Sequence, residues 1–143
     1  MTLRRLTQDD LAAVVTLHGA SFETGWTDNS LRHHIENDLC FGIFTPELSG
    51  FVVARLADDQ AEIITIAVDP ARRGQGLGRQ LMVQSFTALK SVGVTVLFLE
   101  VAEDNLAAKA LYEACGFTPI GKRPAYYRRA AGRVAALTFR KDL

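Results

Sequence analysis

The sequence predicts a mixed α/β (α+β) fold: a mostly antiparallel sheet of about seven strands, with one central parallel pair and helices on both faces. Two observations carry this prediction. Residues 61–68 and 95–101 are apolar runs joined by a glycine-rich turn and a helical repeat, and strands joined through a helix pair in parallel. Residues 40–45 and 50–57 have strand-like composition and flank a loop at 46–50, which is typical of an antiparallel hairpin.

The N-terminal segment predicts one strand followed by two helices. Residues 2–6 form the strand, and Thr7 caps a helix with a regularly spaced apolar face. A second helix begins at Trp26, with Thr27 or Asp28 as its cap. The apolar positions are Leu11, Val14, Val15 and His18 in the first helix, and Leu31 and Ile35 in the second.

The second half of the chain completes the sheet. The helix after the glycine-rich turn extends to about Ser91, and the apolar run at 95–101 suits a strand covered on both faces. Residues 105–114 form a short helix, with Gly116 as its C′ residue. The last two strands are expected at 117–121 and 134–139. The predicted core face of the short helix consists of Leu106, Ala107, Ala110, Leu111 and Ala114.

Length and composition indicate a single ordinary globular domain, residues 1–143. The chain has 48% hydrophobic and 22% charged residues and a formal net charge of zero, which argues against bulk electrostatic binding to nucleic acid or to a membrane surface. The segment from Lys122 onward nevertheless holds seven basic residues and a single acid, Asp142. A solvated basic edge is favoured there over a docking patch. We expect a monomer or a weak dimer.

Cysteine and histidine usage argues against a metal site and for a cytoplasmic location. Cys40 and Cys115 are isolated from each other, as expected for small core residues in a reducing compartment. The N-terminus lacks the apolar stretch of a signal peptide, and no apolar run approaches a membrane span. Three histidines lack metal-ligand spacing. They are His18, His33 and His34.

The glycine-rich turn is the strongest functional signal. Residues 73–79 lie between a predicted strand and a predicted helix, where backbone N–H groups and the helix dipole attract anions. The pattern Gly74-x-Gly76-x-Gly78 is not G-x-G-x-x-G and does not open a βαβ unit, so a dinucleotide fold is disfavoured. No Gly-Lys-Ser/Thr follows, which excludes a P-loop. A phosphate cradle is favoured, with a turn of purely structural purpose as the alternative.

Glu100 is the candidate general base. It lies inside the apolar run 95–101, at the end of a parallel strand, where ligands gather in open α/β sheets. Burial there would disfavour the charged carboxylate, raise its pKa and suit it to take protons near neutral pH. A strand-end glutamate that reaches solvent is an equal alternative.

Asn105 and Tyr112 form a second candidate pair. They are seven residues apart, so they lie on one stripe of the predicted helix, which we expect to point off its core face. A tyrosine hydroxyl, with a reference pKa of about 10, can protonate a leaving thiolate but is a poor base at neutral pH. An N-cap asparagine beside a half-exposed tyrosine is the simpler alternative.

Taken together, these segments resemble the Gcn5-related N-acetyltransferase superfamily. Arg73-x-x-Gly76-x-Gly78 matches its pyrophosphate motif, Q/R-x-x-G-x-G/A, and Ile66-Ala67-Val68-Asp69-Pro70 matches the strand before it. Residues 105–117 match the signature N-x-x-A-x-x-x-Y-x-x-x-G-F. The resemblance covers nearly the whole chain and implies the acyl-CoA N-acyltransferase fold.

The resemblance also implies a co-substrate and residue roles. Acetyl-CoA is the expected acetyl donor, with no metal and no covalent acyl-enzyme. Glu100 matches the general base of the family and Tyr112 its general acid. The cofactor-binding positions implied are Ile66, Ala67, Val68, Arg73, Gly74, Gln75, Gly76, Leu77, Gly78, Arg79 and Asn105.

Within the superfamily, the chain is most similar to the ribosomal-protein-alanine N-acetyltransferases. The shared features include residues 22–26, Leu99-Glu100-Val101 and the segment 123–127 with its paired tyrosines. The chain departs from that pattern at three places near the expected acceptor groove. These are Gly25 before the tryptophan, Ala125 before the tyrosines, and Val134-Ala135-Ala136-Leu137, where an acidic residue is usual.

The acceptor predicted by this resemblance is the N-terminal alanine of a small-subunit ribosomal protein. Two alternatives remain open at this point. One is an enzyme of the same fold that acetylates a small-molecule amine or a protein lysine. The other is a non-catalytic acyl-CoA-binding module, against which the presence of both Glu100 and Tyr112 argues.

Overall fold

The computed structural model describes residues 2–21 and 27–143. One seven-stranded sheet has the order β1-β2-β3-β4-β5-β7-β6, with β4 and β5 as its parallel pair. The predicted fold class is therefore confirmed. The strands are β1 (Thr2–Arg5), β2 (Leu39–Phe44), β3 (Leu48–Ala57), β4 (Gln60–Val68), β5 (Val96–Ala102), β6 (Thr118–Arg129) and β7 (Gly132–Asp142). The helices are α1 (Leu11–Ser21), α2 (Asp28–Asn37), α3 (Leu77–Ser91) and α4 (Leu106–Ala114), with short 3-10 turns at Gln8–Asp10 and Pro70–Arg72.

The parallel pair opens halfway along its length. β4 pairs with β5 from Gln60 to Ile63 only, opposite Val96 to Leu99. The register of β4 against β3 shifts immediately after Ile63: Ala54 of β3 pairs with Ile63, but Val53 pairs with Thr65. The skipped residue of β4 forms a bulge, and bulges bend a strand and locally increase its twist. The two strands part beyond this point, and their free ends border a cleft.

Helices cover the two faces of the sheet unequally. α3 and α4 pack on one face over a core that runs from β2 to β7 and includes Ile43, Leu97 and Phe139. α1 and α2 cover a smaller core centred on Phe51 and Val53 of β3. Within the described residues, this second core takes no member from β5, β6 or β7. On that face of β5, Val96, Phe98 and Glu100 are partly exposed, whereas Ala102 is buried.

The caps expected at Thr27 and Gly116 are confirmed, whereas Thr7 precedes the 3-10 turn Gln8–Asp10 and its side chain makes no cap hydrogen bond, so α1 begins only at Leu11. Thr27 accepts a hydrogen bond from the Ser30 amide at 3.1 Å, and Asn105 caps α4 by accepting from the Ala108 amide at 3.2 Å. Gly116 has a positive φ of 93°, as expected of a glycine that ends a helix. Trp26, the expected start of the second helix, lies outside the described residues.

The last two strands are much longer than the sequence predicts. β6 continues past Gly121 to Arg129, and β7 extends on both sides of the expected 134–139. Residues 122–129 do not alternate between polar and apolar side chains, so their sequence does not predict a strand. They form a strand because β7 pairs with them as far as Arg128 and Arg129, around the turn before Gly132.

The predicted core face of α4 is wrong except for Leu111, since Leu106, Ala107, Ala110 and Ala114 are exposed. Leu106 is 70% exposed, whereas Tyr112 is only 7% exposed and belongs to the main core. The helix turns Tyr112, Cys115 and Leu111 toward the sheet, and the Tyr112 ring packs against Phe117 with centroids 6.0 Å apart. Burying an aromatic ring stabilises the fold more than burying the alanines of the opposite face.

Both cysteines are buried, as the sequence predicts for core residues. Cys40 is 1% and Cys115 is 7% exposed, and burial raises the pKa of the Cys40 thiol to about 12. No group of histidine, cysteine or carboxylate side chains among residues 2–21 and 27–143 has a metal-binding arrangement. In the same part of the chain, no helix is long and apolar enough to cross a membrane.

Candidate active site

A cleft of about 960 Å³ occupies the gap between β4 and β5. It is bordered by the free end of β4, the turn before α3, the end of β5 and the first turns of α4. The sequence-predicted residues that line it are Ile66, Ala67, Val68, Arg73, Gly74, Gly76, Leu77, Gly78, Arg79, Glu100, Asn105 and Tyr112. Gln75 is the exception, because it lies exposed in the turn and does not line the cleft.

The turn before α3 has the form of an anion cradle. Gly74 and Gly76 have φ values of +79° and +77°, and a Cβ on either would meet nothing within 4 Å. Gly76 is the N-cap of α3 and provides no side-chain cap, so the amides of the first helical turn need another partner. Open space beside uncapped amides fits a diphosphate.

The cradle is tethered to the hairpin between β2 and β3. Arg72 donates from Nη1 to Thr45 Oγ1 at 2.6 Å, and the Asp69 amide donates to the Ser49 carbonyl at 2.8 Å. Arg73 donates back to the Val68 carbonyl at 3.3 Å. These bonds fix the turn relative to the end of β4. Sequence reasoning missed Thr45, because nothing local indicates that it contacts a residue 27 positions away.

Glu100 is not the buried carboxylate that one reading of the sequence favours. Its side chain is 25% exposed and pairs with Arg123, with 2.8 Å between Oε1 and Nη2. The reason lies in β5, where Leu97, Leu99 and Val101 face α3 and α4, and Glu100 faces the opposite side, whose smaller core under α1 and α2 includes no described residue of β5. The carboxylate therefore stands at the mouth of the cleft, on the sheet face opposite α4.

Tyr112 approaches the cleft from the other face. Burial raises the pKa of its hydroxyl to about 12, with smaller contributions from Cys115 and Tyr127. A hydroxyl with that pKa stays protonated at neutral pH and is available as a proton donor. The cleft thus has a carboxylate on one side and a protonated phenol on the other, the pairing that acid–base chemistry requires.

β6 contributes residues that sequence reasoning did not assign to the site. Tyr127 and Arg129 line the cleft. Arg129 holds both carboxylate oxygens of Asp104, at 2.8 and 3.0 Å, and its guanidinium lies 5.5 Å from the Tyr127 ring centroid. Burial and the nearby Glu100 raise the pKa of the Tyr127 hydroxyl. In the sequence, the pair of tyrosines among basic residues was the signal for this part of the site. Only the pairing of β6 with β7, and of β7 with β5, brings the pair to Glu100.

Comparison with known proteins identifies the family. The acetyltransferase (GNAT) family profile matches residues 11–117. The ribosomal protein bS18-alanine N-acetyltransferase of Escherichia coli K12 is 33% identical over 138 residues, covering 95% of this chain and 93% of that protein.

Solved structures agree with the sequence match. The crystal structure of the ribosomal-protein-S18-alanine N-acetyltransferase from Escherichia coli superposes with a TM-score of 0.91 at 31% identity, over 99% of this chain and 92% of that one. A ribosomal-protein-alanine N-acetyltransferase from Brucella melitensis, 20% identical, shares the fold over the full length of both chains with a TM-score of 0.86. This chain therefore belongs to the GNAT acetyltransferase family and is an acetyl-CoA-dependent N-acetyltransferase.

Proposed function

We propose that this enzyme acetylates the N-terminal alanine of a small-subunit ribosomal protein, and that residues 1–143 act as one N-acetyltransferase domain. The observation that carries the proposal is its 33% identity, over 95% of the chain, to the Escherichia coli enzyme named for that reaction. The acid–base pair at the cleft, Glu100 and Tyr112, supports a catalytic role rather than acyl-CoA binding alone.

The cradle and β4 hold the donor in this proposal. Acetyl-CoA supplies an acetyl group that is already activated as a thioester. The amides of residues 74–79 bind its diphosphate, with Arg73 and Arg79 lining the same part of the cleft. The backbone of Ile66 to Val68 is free of β5 and pairs with the pantetheine arm. Asn105 also contacts the donor.

Glu100 prepares the acceptor. An α-amino group has a pKa of about 7.7–8.0, whereas a lysine amine has a pKa of about 10.4. A modest base therefore suffices to deprotonate a protein N-terminus near neutral pH. Glu100 lies at the mouth of the cleft and takes this proton through a water molecule.

Tyr112 completes the transfer. Tyr112 lines the cleft and the pKa of its hydroxyl is raised to about 12, so in this proposal it donates a proton to the departing thiolate. A backbone amide near Val68 stabilises the negative oxygen that develops during attack. Cys115 takes no part, because burial raises the pKa of its thiol and makes it a poor nucleophile.

The acceptor is tested with matched substrates and acetyl-CoA. One peptide begins with a free alanine, a second has that amine blocked and carries an internal lysine, and a third substrate is a small primary amine. The proposal expects kcat/KM at least about 100-fold higher for the free alanine peptide, because only that amine combines a low pKa with a peptide chain. Preference for either of the other acceptors would contradict it.

The base is tested with Glu100→Gln, with Glu103→Gln as the control. Both glutamates lie near the end of β5 and pair with a basic residue of β6, but only Glu100 lines the cleft. We expect kcat to fall by roughly 10²–10⁴-fold in Glu100→Gln, the range typical of one acid–base group. Glu103→Gln should stay within about twofold of the unmodified enzyme.

A further inference from the structure

Arg123 reaches Glu100 across an intervening strand. The sheet order places β7 between β5 and β6, so the two residues are not strand neighbours. The register puts Ala136 of β7 opposite Arg123, and Thr138 opposite Glu100. Ala136 and Thr138 are two residues apart and thus share a face. Both are small, which leaves room for the guanidinium to lie over β7.

Among residues 2–21 and 27–143, Glu100 is the carboxylate that pairs with Arg123. Residues 134–137 of β7 are Val-Ala-Ala-Leu, in the place where the resembling enzymes usually have an acid. Glu103 is paired with Lys122, and Asp104 is paired with Arg129. Glu100 is left as the partner of Arg123, so the departure at 134–137 has a consequence for the cleft.

The contact leaves half of the carboxylate available. Arg123 Nη2 meets Glu100 Oε1 at 2.8 Å, and within the described ranges no side chain or amide donates a hydrogen bond to the second oxygen. The guanidinium also lies 4.8 Å from the centroid of the Tyr126 ring, a distance suited to a cation–π contact. Arg123 is thus held on two sides, and it holds one oxygen of Glu100.

Stability alone does not account for this pair. The Arg123 side chain is 57% exposed, and ion pairs in such settings contribute little to folding. What the contact does fix is the orientation of a carboxylate that is partly exposed, on a part of the sheet where none of the described helices contributes to a core over β5. A general base loses efficiency when it rotates away from the proton that it abstracts.

We propose that Arg123 is a positioning residue for the transfer. It fixes Oε1 of Glu100 and leaves Oε2 directed to the water that takes the acceptor proton. This inference rests on the proposed role of Glu100 as the base. Arg123 itself exchanges no proton and contacts neither the donor nor the acceptor amine.

The test is a double-mutant cycle in kcat, measured at saturating acetyl-CoA and alanine peptide. Arg123→Ala should lower kcat by roughly 10-fold or more, the size expected when a hydrogen bond to a charged group is lost. Arg123→Lys should recover part of this loss, because the existing contact uses a single N–H. In the Glu100→Gln background, Arg123→Ala should change kcat by less than about twofold.

The neighbouring Lys122 provides the matched control. Lys122→Ala removes a cation from the same strand, and its ion pair with Glu103 does not line the cleft. It should leave kcat within about twofold, and the KM for acetyl-CoA should not change in any Arg123 variant. Thermal melting identifies any variant that fails to fold, and Arg123→Gln, which keeps a donor without charge, then replaces Arg123→Ala in the cycle.

The outcomes separate this inference from the proposed function. Normal kcat in the Arg123 variant, with a low kcat in Glu100→Gln, would overturn the positioning role alone. If Arg123→Ala lowered kcat equally in the unmodified enzyme and in the Glu100→Gln background, the positioning role would also be overturned. Arg123 would then act through the β6–β7 hairpin as a whole and not through Glu100. Normal turnover in Glu100→Gln would overturn the base assignment, and the positioning role with it.

Discussion

The two halves of the cleft are built in different ways. The half that we propose to bind the donor, the donor half, is mostly backbone from one continuous stretch, the end of β4 and the turn at 73–79. The side that we propose to face the acceptor, the acceptor edge, is made of side chains: Glu100 and Arg123 are 23 residues apart, and Asp104 and Arg129 are 25 apart. A local backbone conformation follows from local sequence, whereas a side-chain cluster requires the register of three strands.

The largest effect is expected at Gly76, where a substitution tests whether the donor half depends on the backbone of the turn. Gly76→Leu places a side chain in the open space beside the uncapped amides of α3. We expect acetyl-CoA binding to fall below detection by calorimetry, because the side chain occupies the volume that a diphosphate needs. The variant also pays about 1–2 kcal/mol of backbone strain for its left-handed conformation.

Gly93→Leu separates strain from occlusion. Gly93 has φ +93°, and its Cβ would likewise meet nothing within 4 Å. It follows α3 and does not line the cleft. Its variant should lose similar stability in a thermal melt and keep normal acetyl-CoA affinity. Equal loss of binding in both variants would mean that strain, not the cradle, explains the effect.

The same distinction explains what could be predicted from sequence. The glycine-rich turn and the cap at Asn105 depend on neighbours within a few residues, and the parallel pair follows from the helix that connects its two strands; each was predicted. The pairing of Arg123 with Glu100 and the contact of Thr45 with Arg72 were missed, and the paired tyrosines were noted without the partners of Tyr127, because these contacts are set by tertiary structure. The orientation of Tyr112 was missed for a related reason: helical spacing fixes which residues share a stripe, but packing decides which stripe is buried.

Tyr112→Phe tests whether both halves of the cleft take part in the same reaction. We expect kcat to fall by roughly 10²–10⁴-fold with little change in the KM for acetyl-CoA, because only the proton donor is removed. The pKa of Tyr112 is about 12, so its acid form is fully present up to pH 10 and is lost only as pH rises toward 12. From pH 7 to 10, the kcat of the unmodified enzyme should therefore show no decline caused by deprotonation of Tyr112. A decline in this range that is absent from Tyr112→Phe would contradict the expectation.

Thr45→Val tests the side-chain tether between the β2–β3 hairpin and the turn before α3. It removes the oxygen that accepts from Arg72 at 2.6 Å, and a hydrogen bond from a charged donor is worth about 1.5–3 kcal/mol at most. Because the Asp69 amide still holds the turn, we expect only a three- to tenfold rise in the KM for acetyl-CoA, with kcat unchanged.

The matched control for this tether is Thr16→Val. Thr16 is an exposed residue of α1 and donates to the Ala12 carbonyl, so its variant removes a threonine hydroxyl that is not bonded to Arg72. Its variant should leave both kinetic constants as they are. If Thr45→Val lowers kcat instead of raising KM, the tether acts on the acceptor edge, and the separation of the two halves is wrong.

Gly78→Ala should have the smallest effect, although Gly78 belongs to the same motif as Gly76. Gly78 lies inside α3, and its Cβ would meet Leu111 Cδ2 at 3.4 Å and Val68 Cγ2 at 3.7 Å, which a methyl group tolerates. Alanine also favours the helix by up to about 1 kcal/mol. We expect acetyl-CoA affinity within about threefold by calorimetry and an equal or higher melting temperature. A loss as large as that of Gly76→Leu would mean that the donor, rather than α4, lies against this position.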